Sequence, residues 1–80
     1  MGRRTKLTAE VQEGIVDLIQ QGAYDYQAAR ANGIDDSTFR RWMRAGERGN
    51  PIYRPFCAEV RQARAEARTA AEIQVRKSVV

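Results

Sequence analysis

The side chains best able to do chemistry in this sequence are arginines and small hydroxyls gathered at residues 37–48: Ser37, Thr38, Arg40, Arg41, Arg44 and Arg48. A guanidinium presents a planar fork of donors that matches a phosphate or the edge of a guanine. Ser and Thr hydroxyls bond phosphate oxygens and base edges alike. A second basic group, Arg3, Arg4 and Lys6, opens the chain. The net charge of +4 hides a strong segregation. Residues 37–54 carry five positive charges against one negative, whereas residues 8–36 carry one positive against six negative. Positive charge concentrated in this way is the electrostatic footprint of a protein that meets a polyanion. The acidic stretch is expected to face away from it.

Other chemistries find no residues to carry them. The chain has no His, no phosphate-cradling Gly loop and no metal-ligand spacing. Asp35 and Asp36 are adjacent, so on a helix they diverge and cannot share a metal. The sequence therefore points to no enzyme, no cofactor and no metal. Cys57 stands alone; it cannot form an intramolecular disulfide, reads as a small apolar filler, and suits a reducing cytoplasm. No apolar run is long enough to span a membrane, and Arg3, Arg4 and Lys6 lack the apolar stretch of a secretory signal.

The basic residues need a scaffold, and the pattern supplies an all-α one. Thr8 reads as an N-cap with Glu10 in the first turn. Val11, Ile15, Leu18 and Ile19 then recur at helical spacing, so residues 9–20 form an amphipathic helix that Gly22 ends. Gly14 costs that helix roughly 1 kcal/mol against Ala. Tyr24 and Tyr26 flank Asp25, the expected cap of a short second helix over residues 26–31. That helix carries the small Ala28 and Ala29, which let another helix approach closely. Asn32-Gly33 breaks it. Ile34 plugs the core, and Asp35 caps a third helix over residues 36–45. Asn32 falls where an apolar or small residue is usual, which predicts a looser corner.

Phe39, Trp42 and Met43 form the buried stripe of the third helix, leaving Arg40, Arg41 and Arg44 outside. Two helices joined by a short Gly turn, the second with a basic outer face, make a helix-turn-helix. In such an arrangement Ser37, Thr38, Arg40 and Arg41 are placed to reach base edges, with Arg44 and Arg48 nearer phosphates. The arm at residues 1–7 is expected to lie along a minor groove through Arg3, Arg4 and Lys6. Residues 8–54 form the core and its loop, with Gly46, Gly49, Asn50 and Pro51 interrupting the chain from Ala45 to Arg54. Residues 55–80 hold a long helix, from Phe56 to about Lys77. Its Phe56, Val60, Ala63, Ala67 and Ala70 make a heptad-like seam that outruns the core, and Ile73, Val75, Val79 and Val80 follow uncovered. The seam predicts a homo-oligomer through this helix.

At this point a resemblance appears. Gly-Arg-x-Thr-Lys-Leu-Thr at the N-terminus is followed by a helix, then Ala-Ala-x-x-x-Gly-Ile, then Ser-Thr-Phe-x-x-Trp-Met-x-x-Gly, then an Ala- and Arg-rich helix. Together they resemble the helix-turn-helix domains of bacteriophage small terminase subunits and related phage proteins, over residues 2 to about 76. The residues carrying it are Gly2, Arg3, Thr5, Lys6, Leu7, Thr8, Ala28, Ala29, Gly33, Ile34, Ser37, Thr38, Phe39, Trp42 and Gly46. The resemblance implies recognition of the packaging start on viral double-stranded DNA in a host cytoplasm. It also implies a ring-shaped oligomer and delivery of DNA to the large terminase subunit. Phage or bacterial regulators and transposase recognition domains share the pattern. The alternative of another class, a helical protein-interaction module, leaves the Arg40, Arg41 and Arg44 face without a use.

Overall fold

The computed structural model describes the backbone of residues 7–78 and the side chains of residues 7–74. It is all-α, with α1 at Ala9–Gln20, α2 at Asp25–Ala31, α3 at Asp36–Glu47 and α4 at Arg54–Ser78. The first three helices form the helix-turn-helix core, and the long α4 packs across both α1 and α3.

Local sequence accounts for where each helix starts and stops. Thr8 caps α1: its Oγ1 accepts from the Val11 amide at 3.1 Å. The first three helices end alike. The Gly22 and Ala23 amides donate back to Ile19 and Leu18, those of Gly33 and Ile34 to Arg30 and Ala29, and those of Gly49 and Asn50 to Gly46 and Ala45. This paired return of two amides needs a left-handed residue just past the helix. Gly22, Gly33 and Gly49 supply it, with φ of 104°, 76° and 97°.

Three expectations need correction. The cap of α2 is Tyr24 rather than Asp25: the Tyr24 amide donates to Gln27 Oε1 at 3.0 Å. Asp25 is thereby released to the first helical turn, where it meets α4. Next, Gly46 does not end α3 but lies buried within it. A Cβ there would stand 2.7 Å from both the Tyr53 carbonyl oxygen and Cys57 Cβ. The glycine is a contact surface for the start of α4, and the helix runs two residues past Ala45. Finally, the Asn32 corner is tight. Its Nδ2 donates to the Ala28 carbonyl at 2.9 Å, and its Oδ1 would lie 2.1 Å from a Cβ on Gly14. The propensity that Gly14 costs α1 is thus offset by close packing of the turn between α2 and α3.

The core is one cluster: Ile15 and Ile19 from α1, Ala28 and Ala29 from α2, Ile34 from the turn, Phe39, Trp42 and Met43 from α3, and Phe56, Cys57, Val60 and Ala63 from α4. Phe56 sits at its centre, fully buried. It meets Phe39 and Trp42 edge to face, with both centroid distances 5.7 Å. Along α4 the seam leaves the core as anticipated. Ala63 is fully buried, Ala67 half-buried and Ala70 exposed. Ile73 is 49% exposed.

Candidate nucleic-acid interface

The motif is set by two packing decisions. Ala28 and Ala29 are completely buried, so α2 presses against its neighbours with no side chain to hold it off. Ile34, 2% exposed, inserts directly after the Gly33 turn and fixes the angle at which α3 leaves. Phe39, Trp42, Met43 and Gly46 then commit one face of α3 to the core.

The opposite face follows from helical geometry. Ser37, Arg41, Arg44 and Arg48 succeed one another at i, i+4, i+7 and i+11, so they share one exposed side of α3 and its cap. Arg40 is exposed but lies to one side of that row. Its Nη2 meets Asp36 Oδ2 at 3.1 Å, an exposed i, i+4 pair. Thr38 lies toward the other edge and is half-buried. The structure thus gathers five of the six expected side chains on α3 into open positions and partly withdraws Thr38. Arg3, Arg4 and Lys6 lie outside the described residues.

The start of α3 is more acidic than an anion-facing surface calls for. Asp35 occupies the N-cap, and the hydrogen bond its side chain makes is with the Ser37 hydroxyl, which donates to Oδ2 at 2.6 Å. That bond is the main reason its carboxyl is held below its ordinary pKa. Desolvation, the next largest influence, opposes it, and the Ser37 amide, the Arg30 charge and the Asp36 amide each add a lesser lowering. Ser37 is therefore tied to Asp35, and Arg40 to Asp36, in the unbound protein. The expected separation of charge holds for α1: Glu10, Glu13 and Asp17 line a groove with Glu59 that includes no residue of α3. It does not hold for Asp35 and Asp36, which sit among the arginines.

Sequence reasoning did not anticipate how α4 is fastened. Arg64 Nε and Nη2 donate to the two oxygens of Asp25, the Nε bond measuring 3.3 Å. Arg61 Nη2 pairs with Glu47 at 3.2 Å, and Gln20 Nε2 donates to Glu66 at 2.8 Å. These contacts join residues 14 to 46 positions apart, so no local spacing announces them. All are exposed and contribute little stability each; they flank the packing of Phe56, Val60 and Ala63 that seats α4 on the core. Tyr24 and Tyr26, both exposed, stack with centroids 6.0 Å apart and planes 8° from parallel. The Arg30 guanidinium lies 5.7 Å from the Tyr26 ring centre.

Among the described residues no group of three or more His, Cys, Asp or Glu could hold a metal, and no helix is long and apolar enough to cross a membrane. No curated protein and no solved structure matches the chain. A family model described as Transposase, for the helix-turn-helix of those proteins, matches residues 1–75. The match takes in the core, the Gly33 turn and most of α4, so the chain belongs to the transposase helix-turn-helix family and is a DNA-binding domain of that kind.

Proposed function

We propose that this domain recognises double-stranded DNA in a sequence-directed way, with α3 in the major groove, as the recognition part of a transposase-type system. The observation that carries the reading is the row Ser37, Arg41, Arg44 and Arg48 standing opposite the buried stripe of α3. Arg41 is placed for a guanine edge, and Arg44 and Arg48 for phosphates. Arg40 joins them once DNA competes for it with Asp36. Arg3, Arg4 and Lys6 add a minor-groove arm on grounds of charge. The transposase-type reading fits the family match better than a packaging role. Recognition of a packaging start, with a large terminase subunit as partner, is the second reading, favoured by the Gly-Arg-x-Thr-Lys-Leu-Thr and Ser-Thr-Phe-x-x-Trp-Met runs.

Selection of bound duplexes from a random pool, followed by a salt titration on the preferred one, tests the proposal. One sequence class should be enriched, and log K should fall linearly with log salt, by about 0.9 for each phosphate neutralised. A flat salt response would overturn it. The position of the enriched sequence in the source DNA separates the readings: ends of a mobile element for transposition, a single locus of a phage genome for packaging.

The proposal includes pairing of two copies through α4 beyond Ala63. Past the half-buried Ala67, the exposed Ala70 and Ile73 have no core beneath them, and linking two half-sites raises the effective concentration of the second contact. Light scattering across a concentration series should show dimer growing with concentration, and less of it without residues 66–80. A chain that stays monomeric at every concentration, alone and on DNA, would exclude pairing.

A further inference from the structure

Beside the first turn of α3 lies an open groove of about 740 Å³, bounded by the loop before α2, by α3 and by α4. Ile19, Phe39 and Ala67 contribute apolar surface to it, and its rim carries Tyr24, Tyr26, Arg40, Arg64 and Arg68. Two carboxylates also line it, but both are already paired: Asp25 with Arg64 and Asp36 with Arg40. The uncompensated charge of the groove is therefore Arg68, which is exposed and makes no ion pair among the described residues. The groove is open along its length, unlike the enclosing pockets that hold small molecules. Arg40 borders both this groove and the basic face of α3, so the two surfaces are continuous.

We infer that this groove seats the phosphodiester backbone of the DNA flanking the bound site, with Arg68 as its cationic contact and the Tyr24 and Tyr26 hydroxyls as neutral donors. The inference rests on the reading that α3 binds duplex DNA, and extends it to α4, a helix outside the helix-turn-helix. Phosphate oxygens accept from Arg and Tyr without regard to sequence. A strand leaving the major groove past Arg40 meets the tyrosines and Arg68 next. Arg64 is engaged by Asp25 and serves to position α4, which carries Arg68. An acidic peptide would satisfy the same cation, but continuity with the α3 face favours the strand that α3 itself brings.

The test uses the full chain with two short duplexes, one of the preferred sequence and one scrambled, each titrated with salt. Arg68→Ala should weaken binding several-fold on both duplexes alike and reduce the steepness of log K against log salt by about 0.9. Arg68→Lys, which keeps the charge, should preserve the slope. Tyr24→Phe with Tyr26→Phe should lower affinity a few-fold with the slope unchanged, because a neutral donor releases no counterion. Tyr24, Tyr26 and Arg68 are all exposed, so thermal melting should match the parent. Parental affinity and slope in Arg68→Ala, while Arg41→Ala loses binding, would overturn the groove assignment and leave the α3 reading standing; an acidic protein partner would then be the occupant to seek. Unchanged binding in both variants would sink the two together.

Discussion

Trp42→Ala is expected to unfold most of the domain at ordinary temperatures. Trp42 is 4% exposed. Its indole stacks on Tyr53 with centroids 6.0 Å apart and meets the Phe56 ring in a T-shaped pair at 5.7 Å, so it holds α3 to the loop and to α4 at once. Truncating a buried Trp costs about 3–5 kcal/mol. Small domains sit near the lower end of the roughly 5–15 kcal/mol range of natural stability, so one such loss removes most of the margin. Urea melts followed by circular dichroism should show the midpoint of Trp42→Ala collapsing, while Trp42→Phe retains much of it. A variant that melts like the parent yet no longer binds DNA would make Trp42 a stacking platform instead of a core residue.

Arg40→Ala and Arg41→Ala should each cost about 1–3 kcal/mol of DNA affinity on the preferred site. Both are exposed and neither is part of the buried core, so folding should be little changed, and Ala is the better helix former at such positions. The structure orders the two. Arg41 faces straight out from the buried stripe, whereas Arg40 must first leave Asp36, so Arg41→Ala should be the more damaging. Removing the Asp36 charge in an otherwise parental chain, with Asp36→Asn, should raise affinity by freeing the Arg40 guanidinium. Equilibrium binding with preferred and scrambled duplexes reads both effects. Parental affinity in the double Arg40/Arg41 variant would exclude α3 as the reading helix.

The basic row on α3 is legible in the amino-acid sequence, because it follows from spacing within one helix. Once Phe39, Trp42 and Met43 are buried, the period of 3.6 residues leaves Arg41 and Arg44 facing out. Helix limits are legible for the same local reason: Thr8 caps through its hydroxyl, and Gly22 and Gly33 act through their own backbone conformation. Where local signals compete, they mislead. Asp25 has the right chemistry for a cap, but Gln27 supplies the reciprocal bond to Tyr24 and moves the boundary. Gly46 looks like a breaker, but the approach of Tyr53 and Cys57 requires a residue with no side chain inside the helix.

The sequence by itself determined the all-α class, the helix-turn-helix, the buried face of each helix and the charge that α3 presents. These depend on periodicity and capping, whose range is a few residues. Only the tertiary structure decided that Asn32 packs into the notch left by Gly14, that Arg64 reaches Asp25 across 39 positions of sequence, and that Tyr24, Tyr26, Arg40 and Arg68 border one groove. Such neighbours are set by the angle at which α4 crosses the core. That angle comes from the fit of Phe56, Val60 and Ala63 among side chains of the other three helices. Packing of this kind is a property of the whole set of surfaces, and no single stretch of chain contains it.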